Sequence, residues 1–316
     1  MIHYLLLIVG FILLVKGADA FVSGASDLAK KFGIPTIIIG LTIVAFGTSA
    51  PEAAVSITAA LSGQSDMSIG NAVGSNIFNL LFILGIAAML MPIGVEKDCL
   101  RKDIPFSFLA AIALMILGAD VFLAGASENV LTRGDGLILL LFFAVFMYYL
   151  TLSAFKKKDN EKRGNDSVNL KKAVIFSILG LLGIIVGGNL VVKSATWIAL
   201  SLGMSEALVG LTVVSLGTSL PELVTSVIAA IKKESDIALG NIIGSNIFNL
   251  LFVLGAAAVV GTLKVNSIVF IDIAVLLVST IITCLFAKSR QTISKKEGVV
   301  FLIMYLAYFI FIIIRG

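Results

Sequence analysis

Long apolar runs alternate with short polar stretches from one end of the chain to the other. A run of about 20 residues, at about 1.5 Å rise per residue, makes a helix that crosses about 30 Å of hydrocarbon. Ten such spans are predicted, over about 2–23, 36–63, 67–92, 104–124, 134–155, 172–200, 206–231, 237–262, 266–287 and 297–314. The connecting stretches are short and hold most of the charge, so no room is left for a separate soluble domain. The expected fold class is an all-α integral membrane protein.

The polar positions inside these runs repeat. GLTIVAFGTSAPE at Gly40–Glu52 recurs as GLTVVSLGTSLPE at Gly210–Glu222, matching at nine of thirteen positions. GNAVGSNIFNLLFILG at Gly70–Gly85 recurs as GNIIGSNIFNLLFVLG at Gly240–Gly255, matching at thirteen of sixteen. Both copies lie 170 positions apart. The chain therefore divides into residues 1–155, a polar linker over 156–171, and residues 172–316. Five spans per half is an odd number, so the second half enters the membrane in the opposite sense. Inverted repeats with broken helices at the midplane are a transporter architecture.

The first span needs a check against a signal peptide. Tyr4–Val15 is apolar, and Ala18-Asp19-Ala20 has the small-x-small form of a cleavage site. No Lys or Arg precedes the run, however, and Gly17 has its mate Gly187 inside a predicted span. A retained first helix is expected.

Composition agrees with the pattern. The chain is 59% hydrophobic and 13% charged, with a mean hydropathy of +1.10, against about 25% charged for a soluble domain. Two cysteines, Cys99 and Cys284, make no disulfide framework, and a single histidine, His3, excludes a His-built metal site or catalytic triad. The net charge of +4 is spread among loops and is no nucleic-acid signal. The loops after spans 1, 3, 5, 7 and 9 hold eighteen of the twenty-three basic residues. The positive-inside rule thus predicts a multi-pass cell-membrane protein with both termini extracytoplasmic.

Polar groups within a span are costly and mark a site. Thr48 and Glu52 are i, i+4 near the middle of span 2, and Ser49 and Glu52 are i, i+3. Pro51 removes an N–H and frees carbonyls near Gly47. Thr218, Ser219, Pro221 and Glu222 repeat this arrangement. Ser75 and Asn79 form another i, i+4 pair, with mates Ser245 and Asn249. Asn76 and Asn246 fall one step after the serines and are expected to point elsewhere. Gly70-x-x-x-Gly74 and Gly240-x-x-x-Gly244 suit close helix packing. Nearly every candidate is a hard oxygen donor, which suits calcium, magnesium or sodium rather than zinc or copper. Two glutamates neutralise one divalent ion, and subsets of the same oxygens suit sodium. Among other acids, Asp19 is expected to pack or be solvated, Asp103 and Asp272 to sit at span starts, and Asp66 and Asp236 to cap spans 3 and 8.

These four blocks resemble the two alpha repeats of the calcium/cation antiporter superfamily, most closely its prokaryotic sodium/calcium exchanger type. The resemblance implies antiport of calcium against sodium by alternating access, with no cofactor and no enzymatic activity. It implies Glu52 and Glu222 as central calcium ligands shared with sodium. Thr48 and Thr218 would contribute to the calcium site, and Ser49 and Ser219 to flanking sodium sites. Ser75, Asn79 and Ser245 would line the same cavity, and the backbone carbonyls of Ala45 and Ser215 would be further ligands. Proton/calcium exchangers of the superfamily usually carry a glutamate where this chain has Gly74 and Gly244, which favours sodium. Some members carry Asp where Asn249 stands; a neutral amide argues against potassium co-transport. A proton or other divalent-cation exchanger is the alternative, and a passive cation channel a further rival. An intramembrane protease would need a Ser/His pair or paired midplane aspartates, which are missing from the spans. The implied partners are the two ions and the lipid bilayer; the number of copies is left open.

Overall fold

The computed structural model describes residues 2–160, 168–204 and 215–315. Its helices are α1 (Ile2–Phe32), α2 (Thr36–Thr48), α3 (Ala50–Leu61), α4 (Ser65–Leu90), α5 (Ile104–Leu117), the short α6 (Asp120–Ala124), α7 (Arg133–Asn160), α8 (Leu170–Ser201), α9 (Ser215–Thr218), α10 (Leu220–Ile231), α11 (Ser235–Val260), α12 (Val269–Arg290) and α13 (Lys295–Arg315). Among the described residues, seven helices are long and apolar enough to cross a membrane, and α2 with α3 makes an eighth, bent by 50°. The last two predicted spans are α5, preceded by a π-helical turn over Cys99–Asp103, and α9 with α10. The first part of predicted span 206–231 lies outside the described residues.

Polarity is turned inside out. Leu5, Ile8, Leu141, Leu179, Leu285 and Ile303 are exposed, whereas Glu52, Glu222, Asn76, Asn79, Asn246 and Asn249 are fully buried. Exposed apolar side chains face lipid in such a protein, and buried polar groups carry the function.

α1 is nine residues longer than predicted. Its polar end continues the helix because partners wait there. Lys232 pairs with Asp19 at 2.8 Å and donates to Ser23 at 2.5 Å, and Ser26 donates to Glu234 at 2.7 Å. Asp19 is thus an ion-pair partner at the end of α10.

α1 packs antiparallel on α8 through glycines. A Cβ at Gly17 would lie 2.8 Å from the Gly180 carbonyl, and one at Gly187 would lie 2.8 Å from the Gly10 carbonyl. The pairs Gly10–Gly187 and Gly17–Gly180 exchange under the 170-residue offset, as a pseudo-two-fold axis requires. The same axis relates two small antiparallel sheets. β1 (Ile93–Gly94) pairs with β4 (Thr292–Ile293), and β3 (Leu263–Lys264) pairs with β2 (Val130–Leu131). Each sheet therefore joins a loop of one half to a loop of the other. Asp103 accepts from Tyr149, and Asp272 accepts from Tyr308 and, bidentately, from Arg315. These two acids, expected only at span starts, also tie neighbouring helices.

Asp66 lies in the first turn of α4, and Asp236 accepts from Thr36 at 2.9 Å. Neither is the residue before its helix; Gln64 and Glu234 hold those positions. Gly240 and Gly244 do pack closely, against Gly40 and Leu41 of α2, whereas among the described residues nothing lies within 4 Å of a Cβ at Gly70 or Gly74. The mate of Gly40, Gly210, lies outside the described residues.

Candidate cation site

The site forms where both bent spans break. α2 ends at Thr48, and Ser49 takes φ −83° and ψ 7° before α3 begins. Ser219 does the same between α9 and α10, with φ −88° and ψ 6°. Pro51 and Pro221 sit in the first turn of the following helices, where a missing N–H costs least but the preceding helix cannot continue its hydrogen bonding. Glu52 and Glu222 follow one residue later, in the same first turns. A carboxylate is favoured there by the partial positive charge of a helix N-terminus. Turns of π-helix at Gly40–Val44, Phe78–Ile83 and Phe248–Val253 lie on the surrounding segments; such turns recur at functional sites.

The two glutamates are held crosswise. Ser49 Oγ donates to Glu222 Oε1 at 2.7 Å, and Ser219 Oγ donates to Glu52 Oε1 at 3.0 Å. Ser219 Oγ also lies 3.1 Å from Ser75 Oγ and, its one proton being on Glu52, accepts from that serine. Thr48 donates to Asn241 Oδ1 at 2.9 Å, and its mate Thr218 donates to Asn71 Oδ1 at 3.4 Å. Asn71 in turn donates to the Glu52 carbonyl and to Ser56, and Asn241 to the Glu222 carbonyl and to Ser226. The serine–glutamate and threonine–asparagine bridges between the halves have their mirror images, whereas the Ser219–Ser75 contact has none, since Ser245 Oγ, the mate of Ser75, has no hydrogen-bond partner.

Asn79 and Asn249 are buried one turn beyond Ser75 and Ser245. Asn79 Nδ2 donates to Asn246 Oδ1 at 3.0 Å, and Asn249 Nδ2 to Asn76 Oδ1 at 3.2 Å. The Ala45 carbonyl accepts from the Ser49 N–H at 3.0 Å and lies 3.3 Å from Thr48 Oγ1, which shares with it the one proton directed mainly at Asn241. Ser215 opens α9 at the edge of the described residues, and the stretch before it lies outside them.

Of the expected residues, Glu52, Glu222, Thr48, Thr218, Ser49, Ser219 and Ser75 are brought into one network, with Asn79 and Asn249 beside it. Asn76 and Asn246 were expected to point elsewhere; instead they reach across the pseudo-two-fold axis and hold those two amides. Asn71 and Asn241 were missed, although each stands in a repeated Gly-Asn pair, at 70–71 and 240–241.

Most buried polar atoms in this region are paired. The exceptions include Glu52 Oε2, Glu222 Oε2, Asn79 Oδ1, Asn249 Oδ1 and Ser245 Oγ. Four of these five can only accept. Each unpaired buried group costs about 1–3 kcal/mol. A set of bare acceptor oxygens around two carboxylates is what a hard cation would satisfy. Among the described residues, no three of His, Cys, Asp or Glu come together. Hydroxyl, amide and carbonyl oxygens would therefore complete any coordination shell.

The chain matches the family model "Sodium/calcium exchanger protein" over residues 2–152 and 172–314. It belongs to the sodium/calcium exchanger family. It is 32% identical over 342 residues to the sodium/calcium exchanger MaX1 of Methanosarcina acetivorans, covering 98% of each chain. It is 39% identical over 299 residues to the inner membrane protein YrbG of Escherichia coli, covering 90% of this chain and 89% of that one. Among solved structures, the sodium-calcium exchanger NCX_Mj, soaked with sodium and strontium, superposes with a TM-score of 0.85 at 33% identity, covering 98% of each chain. The fold is thus that of an exchanger-family membrane protein, ten spans in two inverted repeats, and the protein is a cation antiporter rather than an enzyme.

Proposed function

We propose that the protein exchanges calcium for sodium across the cell membrane by alternating access, at the site between Glu52 and Glu222. The observation that carries this reading is the pair of buried carboxylate oxygens without partners at two mirrored helix breaks, accompanied by the unpartnered amide oxygens of Asn79 and Asn249 on α4 and α11. Two carboxylates balance one calcium ion, which takes six to eight oxygens in flexible geometry. Ser49 and Ser219 spend their protons on the glutamates, so they turn only lone pairs toward a cation, one lone pair of Ser219 being already engaged by Ser75. Thr48, Thr218, Ser75, Ser245, Asn79 and Asn249 supply neutral oxygens, with the carbonyls of Ala45 and Ser215 as further ligands. Two or more sodium ions would use the same oxygens in place of one calcium, and that competition is the basis of exchange. Sodium is favoured over protons by Gly74 and Gly244, which place no carboxyl beside the site.

Both termini lie on the extracytoplasmic side in this reading, and residues 156–171 connect the halves on the cytoplasmic side. The test is uptake of radioactive calcium into proteoliposomes loaded in turn with sodium, potassium or acid. Uptake driven by an outward sodium gradient alone is expected. Uptake that needs a proton gradient would replace sodium with protons as the counter-ion, and non-saturable leakage without any counter-ion would indicate a channel.

A further inference from the structure

Four asparagines form a closed strap across the pseudo-two-fold axis, and its polarity is dictated by the backbone. Asn76 Nδ2 donates to the Asn246 carbonyl at 2.9 Å, and Asn246 Nδ2 donates to the Asn76 carbonyl at 3.3 Å. A backbone carbonyl can only accept. Each of these side chains must therefore turn its nitrogen toward the opposite backbone and its oxygen away from it. Asn76 Oδ1 is then available only to a donor, and Asn249 supplies one through Nδ2 at 3.2 Å. Asn246 Oδ1 receives Nδ2 of Asn79 at 3.0 Å in the same way. With their nitrogens committed, Asn79 and Asn249 have one remaining orientation, in which Oδ1 is buried and without a partner. All four residues have no exposed surface, so these bonds are shielded from bulk water.

We propose that Asn76 and Asn246 are positioning residues that fix the facing of the Asn79 and Asn249 amides, so that carbonyl oxygens and not N–H groups meet the transported cation. An amide is nearly symmetric in shape, so packing alone does not choose between its two orientations. A flipped Asn249 would direct two N–H donors at a cation, turning a ligand into a repulsive group. The strap removes that alternative. It works crosswise: Asn76 governs Asn249, and Asn246 governs Asn79.

This inference rests on the proposed cation site, and its test separates the two. Calcium dependence of sodium-driven uptake is measured in proteoliposomes for Asn76→Ala, Asn246→Ala, Asn79→Ala, Asn249→Ala and the four double variants that combine a positioning residue with an amide ligand. Thermal stabilisation of the detergent-solubilised protein by calcium chloride is read in parallel. Only proteins eluting from a sizing column as the wild type does are compared, with Asn76→Ser and Asn246→Ser replacing an alanine variant that fails. Each single substitution is expected to raise the calcium concentration for half-maximal uptake by about tenfold, the value of one hydrogen bond or ligand contact. In the crossed pairs, Asn76 with Asn249 and Asn246 with Asn79, the double variant is expected to be no weaker than either single one. In the same-half pairs, Asn76 with Asn79 and Asn246 with Asn249, the effects are expected to multiply to about a hundredfold. Multiplication in all four pairs, or equal coupling in all four, would overturn the strap. No effect of Asn79→Ala or Asn249→Ala would overturn the ligand assignment beneath it.

Discussion

Ser49, on the first half of the chain, donates its hydroxyl proton to Glu222 on the second half at 2.7 Å. Each half holds the backbone carbonyl of its own glutamate, through Asn71 or Asn241, while the other half reaches across to the carboxylate. The carboxylate that one repeat contributes is oriented by the serine of the other, and Ser219 repays the contact to Glu52.

Removing that restraint should weaken sodium binding first, if Ser49 and Ser219 serve the flanking sodium sites that the family resemblance implies. A hydrogen bond to a charged group contributes about 1.5–3 kcal/mol. Ser49→Ala and Ser219→Ala should each raise the sodium concentration for half-maximal calcium release from preloaded vesicles by about 10- to 100-fold. Threonine at either position keeps the hydroxyl and should restore most of the loss.

Glu52→Gln and Glu222→Gln keep the shape of the side chain and delete its charge. A divalent ion would then face a single carboxylate in a site of low dielectric, where a missing unit charge is costly. Each single variant should bind no calcium in a titration of the purified protein and should support no uptake. Normal transport by either would remove the two-carboxylate site.

The seam between α1 and α8 should be intolerant of side chains. A Cβ at Gly180 would lie 2.5 Å from the Phe21 nitrogen and 2.7 Å from the Gly17 carbonyl, both backbone atoms that cannot turn aside. Overpacking costs about 1–3 kcal/mol where neighbours can give, and more where they cannot. Gly180→Val should lower the melting temperature by about 5 °C or more, or yield only aggregate on a sizing column.

Exchange of one calcium for more than two sodium ions moves net charge, and each charge is worth about 2.3 kcal/mol per 100 mV. Sodium-driven calcium uptake should change rate as the potential is stepped with valinomycin and potassium. A flat response, with steady-state accumulation equally insensitive, would indicate two sodium ions per calcium.

Sidedness can be read from two exposed loop serines. Ser62 and Ser289 are both exposed, and the predicted topology puts them on opposite faces. In a protein freed of Cys99 and Cys284, Ser62→Cys should react with an impermeant maleimide added to whole cells, and Ser289→Cys only after lysis. The reverse pattern would invert the assigned orientation.

Much of this was legible in the sequence, because a polar residue inside an apolar run has little reason to be there except a site. Glu52, Ser49, Thr48, Ser75 and Asn79, with their mates, were found on that ground. Asn76 and Asn246 were misjudged for a definite reason. Facing arguments assume that a helix has an outer side, but from Ile237 to Ile247 every residue of α11 is buried, and on α4 Ser75, Asn76 and Ile77 are buried in succession. A helix enclosed all round has no idle face, and neighbours one step apart can each meet a different partner. The end of α1 was misjudged differently. Ser23, Ser26 and Lys30 dilute the apolar signal, and their partners, Lys232 and Glu234, lie some two hundred positions away.

The crossed contacts also make the halves interdependent. A solitary half would present a buried glutamate with no serine to hold it, an Asn79 amide with nothing to orient it, and a loop strand with no neighbour. Such a unit could have been stable only beside a second copy of itself inserted upside down. Each half is therefore complete only against the other, and the two inverted units form one cooperative body rather than two independent ones.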